Sequence, residues 1–158
     1  MITRTSAISA IRLTVASELE ALESLAGDAR DEATSSETKA EGKYDTRATE
    51  ASYLARGQAW RIVELKRLLA WLETFDSGRV FTEQVVQVGA LVEISGARQE
   101  VVFLAPIGGT KAKVENQTVR VISPSSPLGE AMVELEVGDA FEVHSPRGLL
   151  EYEITAIA

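Results

Sequence analysis

Residues 48–72 read ATEASYLARGQAWRIVELKRLLAWL. Within them Ala48, Ala51, Ala55, Gln58, Ile62, Leu65, Leu69 and Leu72 follow one another at alternating steps of three and four, the spacing of a helix whose seam faces another helix. Upstream, Val15, Leu19, Leu22, Ala26, Ala29 and Ala33 keep the same alternation. The break between the two runs, Thr34 to Asp45, is rich in Thr, Ser and Glu around Gly42, which supplies turn and capping chemistry. The pattern therefore predicts an antiparallel helical hairpin, with residues 2–33 as its first helix. At ~1.5 Å per residue the second helix is about 37 Å long, so much of the hairpin should project into solvent. Its seam is graded, alanine toward the turn and Ile or Leu toward the other end, which predicts close approach of the helices near a slim tip. A two-helix layer lying flat on a sheet is the alternative, and it calls for a wider apolar face than this stripe.

After Leu72 the period changes. Glu73-Thr74-Phe75-Asp76-Ser77-Gly78 reads as a helix stop and a connector, so residues 1–76 form one part and residues 79–158 a second, separable one. In the second part Val80, Val86, Val88 and the alternation Ala90 to Ile94 predict strands. Ser95-Gly96 predicts a hairpin turn and Gln99 to Leu104 the returning strand. Pro106-Ile107-Gly108-Gly109 reads as another turn, Val119 to Ile122 as a strand, and Phe141-Glu142-Val143 and Tyr152-Glu153-Ile154 as two more. Between these, Ser126 is placed as an N-cap and Pro127 as the first residue of a short helix. The fold class expected is α+β, a helical hairpin followed by a small antiparallel sheet carrying one helix.

Charge and composition exclude several functions. The formal net charge is −8, shared between 1–76 (10 Lys and Arg against 13 Asp and Glu) and 79–158 (6 against 11). An acidic surface on both parts disfavours direct binding to DNA or RNA phosphates. No apolar run approaches the ~20 residues that span a bilayer, and Met1-Ile2-Thr3-Arg4 lacks the apolar core of a signal peptide, so the cytoplasm is expected. There is no cysteine and one histidine, His144, lying in a strand pattern, which argues against thiolate or imidazole metal sites and a Ser-His dyad.

Ser126-Pro127-Leu128-Gly129-Glu130-Ala131-Met132, then Val137-Gly138-Asp139-Ala140-Phe141-Glu142-Val143, then Pro146-Arg147-Gly148 and Glu151-Tyr152-Glu153-Ile154, with Arg61-Ile62-Val63-Glu64-Leu65 near the base of the second helix, resemble the GreA/GreB family of bacterial transcription cleavage factors. That resemblance implies a coiled-coil finger followed by an FKBP-like domain. It also implies a non-enzymatic regulator that binds RNA polymerase, inserts the finger into its secondary channel, and uses two acidic tip residues to help position a catalytic magnesium. Magnesium is a hard cation that takes oxygen ligands, and a second metal activates the attacking water. No metal is expected in the isolated protein.

The family's tip reads Gly-Asp, two residues, then Glu, and this sequence departs from it. Gapless extension from Arg61 puts Glu41 and Tyr44 at the two acidic positions, whereas matching on Gly42 puts Lys43 and Thr46 there. Glu41 and Asp45 are the substitute pair, with Glu37 a further tip acid; capping the second helix is the competing role for Asp45. Cleavage stimulation and occupancy of the channel without cleavage are both open. Ser126, Pro127, Leu128 and Met132 are the candidates for docking to polymerase, with packing into the domain's own core as the other reading of Leu128 and Met132. Two further functions are weighed. A peptidyl-prolyl isomerase needs an apolar pocket lined by aromatics, for which the second part offers Phe81, Phe103, Phe141 and Tyr152; an oligomerising scaffold would use Trp60 and Trp71 as anchors, although Trp71 beside the connector is explained by packing between the two parts.

Overall fold

The computed structural model describes residues 2–34 and 47–158. Helix α1 (Arg4–Thr34) and helix α2 (Arg47–Thr74) are 31 and 28 residues long, about 46 and 42 Å at 1.5 Å per residue. The first begins on reciprocal hydrogen bonds between Thr3 and Ser6, in which the Thr3 hydroxyl accepts from the Ser6 amide and the Ser6 hydroxyl from the Thr3 amide, each at 3.1 Å. Two otherwise orphaned donors are thereby satisfied.

Six strands follow: β1 (Leu91–Ser95), β2 (Gln99–Leu104), β3 (Lys111–Val114), β4 (Gln117–Ile122), β5 (Ala140–Ser145) and β6 (Gly148–Ile157), with helix α3 (Pro127–Met132) between β4 and β5. They make one sheet in the order β3-β4-β2-β1-β6-β5. The sheet is mixed: β2 and β4 run parallel, Val101 beside Val119 and Leu104 beside Ile122, while the other four pairings are antiparallel. The parallel pair arises because the chain leaves β2, passes to the edge as β3 and returns as β4 between them.

Alternation along the strands divides the apolar residues between two cores. Leu91, Val101, Phe103, Val119 and Val121 face the helices and pack with Ile8, Ile11, Val15, Leu65, Leu68 and Leu72. Val92, Ile94, Val102, Leu104 and Ile122 face the other way, onto Leu128, Met132, Phe141, Val143 and Ile154. Trp71 stacks on Phe75 with ring centroids 4.7 Å apart, and both rings approach Phe103 (6.2 and 6.4 Å). The base of the hairpin thus lies on the sheet, and the rest of its length leaves it.

Several expectations change. Strand β3 was not foreseen, and Val80 and Val88 lie outside any strand, exposed by 84% and 38%. The stretch before β1 contributes instead an isolated bridge from Val85 to Glu136 and the buried Val86. Burial of the seam does not extend toward the tip among the described residues: Ala29, Ala51 and Ala55 are exposed, whereas Ile62, Leu65, Leu69 and Leu72 are buried or half-buried. Alanine removes too little apolar area from water to close a seam where no third layer covers it. The buried seam therefore ends near Ala26 and Gln58.

Candidate functional site

What a protein with this shape can use is an arm held at a fixed angle to a sheet domain, and the holding is done by side chains at the base. Arg61, on the face of α2 toward the loop before β3, donates to the Gly108 carbonyl at 3.0 Å and to the Thr110 hydroxyl at 3.2 Å. Its guanidinium also lies 3.5 Å from the Glu18 carboxylate on α1 and 3.5 Å from Glu64 one turn on. The Thr110 hydroxyl, in a residue only 1% exposed, donates in turn to Glu18 at 3.3 Å. One planar fork therefore ties both helices to the sheet, a geometry that a lysine point charge does not reproduce. The loop is shaped to receive it: Gly109 has φ +100, and a Cβ there would stand 3.2 Å from the guanidinium nitrogens.

Two more arginines fix the other end of the base. Arg12 donates to the Leu72 carbonyl at 2.8 Å, satisfying an acceptor in the last turn of α2. Arg4 donates to the carbonyls of Ser77 and Arg79 and lies over the Phe81 ring, 4.6 Å from its centroid. The connector is thereby strapped to the start of α1.

The residues expected to carry function fall into two sets. Glu41, Asp45, Tyr44 and Glu37 lie outside the described residues. Ser126 caps α3, its hydroxyl accepting from the Gly129 amide at 3.1 Å and donating to the Ser123 carbonyl at 2.7 Å, with Pro127 exposed at the first helical position. Leu128 and Met132, 8% and 0% exposed, belong to the second core, so of their two readings the structure gives core packing. Gly129 completes the motif, since a Cβ on it would stand 2.0 Å from the Ser123 carbonyl oxygen. The Ser-Pro-Leu-Gly run is thus a device for seating α3 against the end of β4.

The four aromatics of the second part do not line one pocket. Phe103 is buried on the helix side of the sheet, while Phe141 and Tyr152 stack at 5.6 Å on the other side and Phe81 lies under Arg4. The aromatics named for a prolyl isomerase are thus divided between the two faces of the sheet. His144 is exposed on β5, opposite Leu149 on β6. Among the described residues no group of three or more His, Asp or Glu could hold a metal ion, and no helix is long and apolar enough to cross a membrane. Sequence reasoning missed the role of Arg61; the signal available was an arginine at the base of the arm with Gly-Gly-Thr in a loop of the sheet.

A two-helix arm clamped at its base to a small mixed sheet defines the structural class, and comparison with known proteins supplies the family. Residues 82–158 match the family model "Transcription elongation factor, GreA/GreB, C-term". Transcription elongation factor GreA of Mesorhizobium japonicum is 31% identical over 110 residues, 70% of this chain and 66% of that protein. Transcription elongation factor GreA of Magnetococcus marinus is 28% identical over 97 residues, 61% of this chain and 60% of that one. The chain therefore spans 60–66% of the length of these curated relatives. A solved structure of the transcription factor Gfh1 shares 20% identity over 94% of this chain and 93% of its own, with a TM-score of 0.41. Over residues 82–158 the chain belongs to the GreA/GreB family.

Proposed function

We propose that this protein is a regulator of transcription elongation that binds RNA polymerase, and that it acts by altering the polymerase rather than as an enzyme. The arm enters the secondary channel while the sheet domain docks outside. The observation that supports this reading is the clamp at Arg61: it joins an arm more than 40 Å long by helix rise to a domain of the GreA/GreB type, through both helices at once. An arm fixed in this way leaves the sheet domain in one direction. Docking at α3 falls to its outward residues, Pro127 and the rim of Ser126, with Leu128 and Met132 holding the helix from beneath. A partner of this kind places the protein in the cytoplasm.

Of the two outcomes at the tip, the sequence favours occupancy of the channel without cleavage, because neither register keeps both acids of the family pattern. Cleavage stimulation remains the second reading, carried by Glu41 and Asp45. The magnesium would be held jointly with polymerase, these carboxylates supplying hard oxygen ligands. A stalled, backtracked elongation complex tests both: shortened transcripts on addition of the protein mean stimulation, and unchanged transcripts with slowed extension mean occupancy. Failure to bind polymerase in the same assay would sink the proposal.

A further inference from the structure

Helix α2 carries a second seam on the side away from α1. Tyr53, Arg56, Trp60, Val63 and Arg67 follow at steps of three, four, three and four, the alternation of the inner seam turned about half a revolution round the helix. All five are exposed, Tyr53 by 66% and Trp60 by 61%. The only acid between Tyr53 and Arg67 is Glu64, which turns to Arg61 at 3.5 Å. The Arg56 guanidinium lies over the Tyr53 ring, 5.6 Å from its centroid, and a shallow pocket of about 280 Å³ opens there between Thr49, Ser52, Tyr53 and Arg56. On a chain of net charge −8, a ridge of two aromatics, a valine and two arginines is set apart from its surroundings. Tyrosine, tryptophan and arginine are also the residue types that concentrate binding energy at protein interfaces.

We propose that this outer face of α2 is a docking seam for an acidic amphipathic helix of the polymerase. The partner's apolar residues pack around Trp60 and Val63, and its carboxylates face Arg56 and Arg67. The inference rests on the polymerase reading above. A helix fits because the seam has a/d spacing and both arginines lie on it, three turns apart. Single-stranded nucleic acid fits less well: the two rings stand about 10 Å apart along the axis, too far to stack successive bases. A second copy of the chain fits poorly too. Apposed α2 seams would set arginine against arginine, and α2 against a partner's α1 is a heterologous contact that leaves the same faces free to repeat.

The test is the affinity of the full chain for core RNA polymerase without nucleic acid, with Trp60→Ala and the double variant Arg56→Glu/Arg67→Glu beside the wild type. Leu13→Ala serves as a control on the exposed face of α1, where Leu13 is 73% exposed. Each seam variant should bind at least tenfold more weakly while keeping wild-type helix content and melting temperature. The defect of the charge variant should shrink as salt is raised, and that of Trp60→Ala should persist. The control should bind as the wild type does. Wild-type affinity in both seam variants overturns the inference and leaves the polymerase reading standing, whereas a wild type that does not bind removes both. A defect seen only with complexes carrying an extruded transcript assigns the ridge to RNA and overturns the helix. Dimers of the wild type alone, lost in Trp60→Ala, overturn it in favour of a second copy.

Discussion

Two glycines in helices make opposite predictions, and the difference lies in what each would touch. Gly57, in the middle of α2, has nothing within 4 Å of the place a Cβ would take. Gly57→Ala should therefore stabilise by about 0.5–1 kcal/mol, the ordinary gain of alanine over glycine in a helix. At Gly129 the same gain is available, but the methyl would meet the Ser123 carbonyl oxygen at 2.0 Å. That carbonyl is held by hydrogen bonds from the amide and the hydroxyl of Ser126, so relieving the clash means moving backbone, at about 3 kcal/mol. The clash wins, and thermal unfolding of Gly129→Ala should show a net loss of about 2 kcal/mol. A melting temperature at or above that of the wild type would contradict the seating of α3. Much of this was legible: Ser126 as cap and Pro127 as first residue follow from residue type and order. The need for glycine at 129 was not, because it comes from the end of β4, which no local pattern brings near.

At the scale of the element, the inner seam of the arm is real only where the sheet backs it. Leu65 is 0% exposed, between α1 and the sheet, whereas Ala51 is exposed on the unbacked stretch. Leu65→Asp puts a carboxylate into an apolar core with no partner, at a cost of several kcal/mol. Ala51→Asp should cost less than about 1 kcal/mol, mostly helix propensity. Comparing the two melts checks this, and equal losses would mean that the seam continues to Ala51 after all. The sequence displayed the three-four alternation from Ala48 to Leu72, and its grading from leucine to alanine was open to two readings, a closer approach or an end of burial. Periodicity records which side of a helix is apolar, while burial depends on what covers it. For the same reason Leu68, off the inner stripe, is fully buried: the sheet supplies a second surface beside that of α1. Strand β3 escaped detection because four residues, Lys111-Ala112-Lys113-Val114, with two lysines outward, alternate too briefly to stand out. The parallel placing of β4 beside β2 is a matter of long-range topology.

For the molecule as a whole, the change of period near Asp76 is visible in the sequence, and the core that crosses it is not. Leu91, Val101, Phe103, Val119 and Val121 are covered on one side by Ile8, Ile11, Val15, Leu65, Leu68 and Leu72. Burying a side chain of this size contributes about 1.5–3 kcal/mol, so baring five of them forfeits an amount comparable with the entire stability of a small domain, about 5–15 kcal/mol. The consequence is that residues 79–158 cut from residues 1–78 should lose cooperative unfolding or melt far below the full chain, and should bind a hydrophobic dye that the full chain does not. The full chain should unfold in one transition followed alike by far-ultraviolet dichroism and by tryptophan fluorescence, since Trp71 lies in the joint between α2 and the sheet. Arg61→Lys separates the clamp from the core. It keeps the charge near Glu18 but loses the fork that reaches Gly108 and Thr110 together, and a buried hydroxyl and a carbonyl deprived of a donor cost about 1–3 kcal/mol. If the arm and sheet are one cooperative body, that loss lowers the single transition without splitting it. Two transitions in Arg61→Lys, with tryptophan fluorescence changing before the sheet unfolds, would show instead that the arm folds apart from the domain it stands on.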